Sequence, residues 1–193
     1  EKLTHGEGPN KVYGAYFHNW SSTMSLGLQT KFEGNLLFES ETDLRIDDPS
    51  YAKWFEYVYD LENNKQVATP LMDIKSLNMN YRDQFFNGKI AMLPMASYMI
   101  PEIGNEKYPH DFVTTFAPIP VWDDGTPGLT NSAPLVYSIS KTASHPEEAF
   151  TFLRFLTTEG VRIKKMFISS EAGTDRMDFV EPMIEDFPEL VDA

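Results

Sequence analysis

A chain of 193 residues, 41% of them apolar and 13 of them proline, can bury one good core or two small ones, which argues against a disordered polypeptide and for one to two domains. Its 29 acidic residues against 16 basic ones leave a net charge of -13, which repels phosphate backbones and speaks against nucleic acid as a partner; the simplest reading of the surplus is a soluble, self-repelling surface. The lack of cysteine removes disulfides, thiolate zinc sites and cysteine nucleophiles together, in keeping with a bacterial exported protein, and no run approaches the ~20 apolar residues that cross a bilayer.

Glu1-Lys2-Leu3-Thr4 followed by His5-Gly6-Glu7-Gly8-Pro9 reads as the last turn of a helix leaving through glycine and proline, so we expect the sequence to begin inside a longer protein. Residues 12 to 18 are rich in β-formers, and Gly14-Ala15 allows close backbone approach, which predicts a buried strand. Asn19-Trp20-Ser21-Ser22 then supplies capping side chains before a helix over about residues 22 to 32.

Asp47-Asp48-Pro49 precedes Tyr51, Trp54, Phe55 and Val58, whose spacing predicts one apolar face of a helix ending near Asn63-Asn64. Asn80 caps a shorter helix through Phe85 and Phe86 that Gly88 stops, and Ile90 to Met92 reads as a strand. Ser97 to Ile103 is expected to be a broken helix because of Pro101.

Further strands are expected at Phe112 to Ala117, ended by Pro118 and Pro120, and at Leu135, Tyr137 and Ile139, with a turn at Asp123-Asp124-Gly125 between them. The clearest helix starts at Pro146, with Glu147 and Glu148 in its positive first turn and Ala149, Phe152, Leu153 and Leu156 as its buried stripe. Thr157 is read as the cap of a continuation carrying Ile163 and Phe167. The acidic tail from Ser169 is given one helical turn around Met183 to Phe187. Strands alternating with helices argue for an α/β architecture, and there is no internal repeat or low-complexity tract.

Motifs of bond-making chemistry are missing. His5, His18, His110 and His145 lie far apart without metal-type pairing and read as surface or capping residues. There is no Gly-x-Ser-x-Gly elbow and no Walker phosphate loop, and Gly6-x-Gly8 has Lys11 where a dinucleotide site needs its third glycine. Asp47-Asp48 and Asp123-Asp124 are nominal glycosidase pairs, but adjacent acids are ordinarily caps or turn formers. Asn19-Trp20-Ser21 is a formal glycosylation sequon with no evident use in a bacterial-looking protein.

Binding is better represented. The chain holds 14 Phe, 9 Tyr and 3 Trp, and sugars are held by flat aromatic platforms beside amides, hydroxyls and carboxylates. Trp54 lies on an amphipathic stripe and reads as packing. Trp20 falls at a strand-to-helix loop, where open α/β sheets place ligands, and Tyr98 follows Met95-Ala96-Ser97 just beyond the Ile90 strand. Either ring is a ligand contact or a packing one; Trp122, in the turn after Pro120, is an exposed anchor or a plain loop residue.

The order of landmarks is more telling than any one of them: Phe85-Phe86-Asn87-Gly88-Lys89-Ile90-Ala91-Met92, then Ala117-Pro118-Ile119-Pro120, then Leu129-Thr130-Asn131-Ser132-Ala133, then Pro146-Glu147-Glu148-Ala149-Phe150. This order resembles the extracytoplasmic solute-binding proteins of ABC transporters, in the sugar-binding, maltose-binding-protein-like branch, over nearly the whole chain but only about the C-terminal half of a family member. The resemblance implies an α/β, periplasmic-binding-protein-like (type II) lobe, truncated, with a mixed sheet flanked by helices. Residues 1–133 would form most of the second ligand-binding lobe, 134–168 a crossing strand and helices that pack on a first lobe, and 169–193 a return to the second.

By the same resemblance Trp20, with Asn19 and Ser21, matches the first ligand loop, and Tyr98 after Ser97 matches the stacking aromatic, where many relatives carry tryptophan. Asn131 and Ser132 match the crossing segment that lines the cleft, which in relatives is richer in glycine; Trp122 completes the candidate ligand-binding set. The implied function is non-catalytic capture of a carbohydrate, most simply an oligosaccharide, by closure of two lobes, without cofactor or metal, and delivery to ABC permease subunits in the membrane. The implied location is extracytoplasmic, periplasmic or lipid-anchored at the outer face of the cell membrane. Two alternatives stay open: the same fold binding a peptide or polyamine-like ligand, and a glycoside hydrolase fragment. The apolar stripe of the helix from Pro146 is expected to invite self-association of the piece.

Overall fold

In the computed structural model, residues 1–18, 20, 28, 31–32, 39–129 and 135–190 are described. They divide into two compact units, one of Glu1–Met95 with Pro118–Asn131 and the other of Ala96–Ala117 with Ser132–Ala193.

The first unit is organised around strand β1 (Tyr13–Ala15), which runs parallel to β2 (Ile90–Met92) with Tyr13 opposite Ile90 and Ala15 opposite Met92. Ala15 also bridges Ala68 in parallel, and His5 bridges Val12 in antiparallel fashion, so the pairing is mixed. The anticipated close approach occurs at Gly14. Its N–H donates to Val67 O at 2.8 Å, and a Cβ there would meet Thr4 Oγ1 at 3.1 Å and Val67 O at 3.3 Å. At Glu1 to Thr4 the Thr4 N–H closes a turn onto Glu1 O at 3.1 Å before the His5 bridge.

Between the strands run helices α1 (Pro49–Tyr59), α2 (Leu71–Ser76) and α3 (Tyr81–Phe86). Asp48 caps α1 by accepting from Ser50 N–H at 2.8 Å, with Pro49 in the first turn, and the helix continues as a π turn over Asp60–Asn64. Trp54 and Val58 are buried with Phe17, Leu28 and Ala68 in one core cluster, whereas Phe55, expected on the same face, is exposed. At 100° per residue Phe55 lies one step around the helix from Trp54, outside the stripe that Trp54 and Val58 share. Asn80 caps α3 through its side-chain oxygen, which accepts from Arg82 N–H at 2.9 Å, and Gly88 follows in the left-handed region with φ +66°. Helix α2 was not anticipated. It lacks a side-chain cap of its own on Pro70, and a distant residue, Glu62, accepts from Leu71 N–H at 3.1 Å. The helix expected over 22 to 32 lies mostly outside the described residues; Leu28 within it is helical and buried.

The second unit contains a 3-10 turn at Ser97–Met99 leading into α4 (Ile100–Ile103), the broken helix that Pro101 predicts. Helices α5 (Pro146–Thr157), α6 (Glu159–Lys164) and α7 (Met177–Asp186) follow, then a 3-10 turn at Pro188–Leu190. Its core joins Ile100, Met183 and Leu190, with Ile103 and Phe187 packed against them. Helix α7 is longer than the single turn expected. It runs through Pro182, buries Phe179 and Met183 one turn apart, and is tied to α6 by Arg162–Asp178 at 3.2 Å and Lys165–Asp186 at 2.6 Å.

Three expectations fail in this unit. Residues 112–117 and 135–139 are not strands; Val113 and Val136 are 74% and 83% exposed, and β-branched side chains without a neighbouring strand or face to pack on have nothing to hold the pleat. Of the stripe expected to be buried, Phe152 is exposed and Ala149, Leu153 and Leu156 are only half-buried. Thr157 does not cap α6, because its hydroxyl bonds back to Leu153 O at 3.0 Å, and α6 begins after Thr158.

Candidate functional site

The chain leaves β1 and presents Tyr16, His18 and Trp20 at alternate positions, the spacing that puts side chains of extended backbone on one side. Their rings cluster. The Tyr16 and His18 centroids are 6.2 Å apart, and those of His18 and Trp20 are 3.9 Å apart at an interplanar angle of 42°. Tyr81, the first residue of α3, meets His18 edge-on at 5.2 Å and Trp20 edge-on at 5.5 Å.

Within this cluster Tyr16 and Tyr81 are buried, while Trp20 remains 43% exposed. Tyr16 donates its hydroxyl to Met79 O at 3.3 Å, and burial, with Tyr81 beside it, pushes its pKa up to about 12. The Arg82 guanidinium lies 4.7 Å from the Tyr81 ring centroid. Trp20 is therefore a half-open indole braced by two rings, five residues beyond a parallel strand on the side where α/β sheets offer ligand positions. Such a surface suits the C–H face of a sugar ring.

The remaining predicted site residues sit as follows. Asn19, Ser21, Asn131 and Ser132 lie outside the described residues. Trp122 belongs to the first unit and packs on α1: its ring is edge-on to Tyr57 at 5.2 Å, and Lys53 Nζ is 4.2 Å from its centroid. Tyr98 and Ser97 belong to the second unit, whereas Trp20 belongs to the first. Tyr98 is half-buried in the 3-10 turn, and Ser97 Oγ donates to Met166 O at 2.6 Å, fastening that turn to the end of α6. Sequence reading missed His18 and Tyr81. His18 is not a surface or capping residue but half-buried among rings, and the alternation Tyr16, His18, Trp20 was the signal that could have found it.

One member of each nominal carboxylate pair has a structural use. A hydrogen bond from Ser50 holds Asp48 below the usual carboxylate range, as a hydrogen bond from Lys31 does Asp124, whose carboxylate lies 3.2 Å from the Lys31 ammonium. A glycosidase acid needs the opposite shift. The carboxyl raised by burial is Glu62, and it is occupied in holding Leu71 N–H. No group of three or more metal-type side chains occurs among the described residues.

Comparison with known proteins agrees with this architecture. The family model described as bacterial extracellular solute-binding protein matches residues 2–163. Among solved structures, a sugar transporter from Rhizobium etli, crystallised in an open conformation, superimposes with a TM-score of 0.52 at 23% identity, over 85% of this chain and 41% of that one. The present chain thus spans well under half of that protein's length, and it shares with it the α/β, periplasmic-binding-protein-like fold. No curated protein matches the chain. With its family model covering most of its length, the chain belongs to the bacterial extracellular solute-binding proteins.

Proposed function

We propose that this polypeptide is the carbohydrate-binding component of an ABC importer, capturing an oligosaccharide outside the cytoplasm and passing it to permease subunits in the membrane. The observation that carries the reading is Trp20: a large aromatic ring left 43% exposed five residues beyond β1 yet braced by His18 and Tyr81. Leaving an indole half in water is unfavourable unless something covers it, and a sugar ring fits that role. The Rhizobium etli protein that shares this fold is a sugar transporter, which supports the same ligand class. The role is non-catalytic, in keeping with carboxylates committed to caps and ion pairs.

In this reading residues 1–133 supply most of one ligand-binding lobe. Residues 134–168 cross to an opposing lobe and 169–193 return. Capture is a population shift toward a closed form that binds sugar better than the open one. Calorimetry of the intact polypeptide against a panel of mono-, di- and oligosaccharides tests this. We expect saturable heat with at least one sugar and its loss in Trp20→Ala; silence across the panel removes the carbohydrate assignment.

The apolar groove of the second unit completes the proposal. Leu135, Val136 and Tyr137 with Phe150 and Leu153 line about 660 Å³ beside α5, whose twelve residues include none that is buried. In the 193-residue chain we take this face as the surface through which copies associate.

A further inference from the structure

We propose that His18 is a positioning residue that sets the Trp20 ring as a ligand platform and makes that platform sensitive to acid. The inference rests on Trp20 as the ligand ring for its biological meaning, but the coupling of the two side chains stands on geometry alone. Of the rings around Trp20, His18 is the nearer, at 3.9 Å against 5.5 Å for Tyr81, and it also touches Tyr16 and Tyr81. Among the described ring contacts the imidazole meets each of the other three rings, so the angle of the indole depends on where His18 sits.

His18 Nδ1 is shielded from solvent and has no hydrogen-bond partner. A neutral imidazole can leave one nitrogen in this state at a tolerable cost. A protonated one carries a donor on each nitrogen, and the Nδ1 donor would have no acceptor among the described residues. The titratable rings that meet it, Tyr16 and Tyr81, are phenols, and Arg82 lies against the Tyr81 ring. Attraction between an imidazolium and the indole face would favour the charge, but burial prevails and holds the His18 pKa below its ordinary 6.5. The protonated ring must turn outward to find water, and Trp20 then loses the brace at 3.9 Å. A receptor built this way holds its platform at neutral pH and relaxes it in acid.

The test reads Trp20 directly, without sugar. The emission of Trp20 is taken as the difference between the wild-type chain and Trp20→Phe, which leaves Trp54 and Trp122 as common background. We expect this difference signal to change by about half as the pH falls below 6.5, because a histidine whose pKa is lowered takes up its proton only there. In His18→Phe, which fills the site but cannot titrate, the profile should be flat over the same range. His18→Gln, polar and untitratable, should be flat as well and guards against a Phe variant that misfolds. Histidine NMR supplies a second readout: the His18 Cε1–H resonance should titrate below the ordinary imidazole value of 6.5, and Trp20→Leu should move it as the indole ring current is lost.

A pH profile that persists in both His18 variants, or a His18 resonance that titrates at or above 6.5, overturns the proposal. The ligand reading fails by a different result: unchanged sugar heats in Trp20→Ala would remove Trp20 from the binding site while leaving the His18–Trp20 coupling intact.

Discussion

Helices α1 and α5 are close in length, both open on a proline and both carry an apolar stripe, yet their surroundings are opposite. In α1 the stripe is spent on a core: Trp54 is only 4% exposed and meets Phe17 edge-on at 6.0 Å, and Val58 is buried beside it. In α5 no residue is buried, and Phe150, Phe152 and Phe155 all lie exposed. An amphipathic pattern says that a helix face wants a partner; it does not say that the partner lies within the same compact unit. The first helix is architecture, the second is a surface.

Substitutions can break this contrast in a graded way. Trp54→Ala should be the most damaging change, because it empties a core site around which Phe17, Val58 and Ala68 cannot fully collapse. A loss of about 3–5 kcal/mol is expected in urea unfolding; a loss below about 1 kcal/mol would mean that α1 is no better buried than α5.

Next comes Glu62, in the π turn that extends α1. It is buried, its pKa is raised by that burial, and it accepts from Leu71 N–H at the start of α2. Glu62→Ala leaves that donor unpaired and should cost about 1–3 kcal/mol. Glu62→Gln keeps an acceptor without a charge and should be neutral or stabilising at pH 7. The sign follows from the shift: a carboxyl whose folded pKa is raised contributes fully below its unfolded value, and that contribution is lost as pH climbs through the folded one. The wild type should therefore gain on the Gln variant between pH 7 and pH 4, and a pH-independent difference would place Glu62 in water.

The same contrast shows what was legible in the residues. Local signals read well: Pro49 behind Asp48, Asn80 before Arg82, Gly88 after Phe86 and Pro146 before two glutamates each mark a helix boundary through a hydrogen bond or a φ angle settled within a few residues. Features that depend on distant partners did not. Helix α2 is held by Glu62, nine residues away, and no sequence-local cap announces it. Residues 112–117 and 135–139 carry strand-forming side chains without a strand beside them. At the candidate site Trp20 was legible as an aromatic leaving a strand, but its braces were not. His18 was judged by its distance from other histidines, whereas its relevant neighbours are Tyr16 and Tyr81, the latter brought in by a helix more than sixty residues on.

Asn80→Ala probes a purely local device within the same unit. The side-chain oxygen holds Arg82 N–H at 2.9 Å and reaches Asp83 N–H at 3.5 Å, so its loss frays the first turn of α3, where Tyr81 supports Trp20. About 1 kcal/mol of stability should go. Acrylamide quenching of Trp20 should rise with it, since the Tyr81 edge is one of its two braces; stability lost with unchanged quenching would show that Tyr81 keeps its place without the cap.

The smallest effect on stability, and the most informative for α5, is expected from Phe152→Ser. At 59% exposure the ring makes little use of the core, so unfolding should shift by no more than about 0.5 kcal/mol, as for other surface positions. Self-association is another matter. Exposed Phe150 lines the groove with Leu135 and Val136, and Phe152 and Phe155 add further exposed rings to the same helix, an apolar surface to which a serine at 152 would contribute less. Light scattering should find the wild-type chain larger than a 22.1 kDa monomer at micromolar concentration and Phe152→Ser shifted toward that mass. If the wild type is instead a clean monomer, the α5 face is not sticky by itself. If Phe152→Ser costs as much as Trp54→Ala, its ring is packed in solution, and the two helices do not differ as their exposures say.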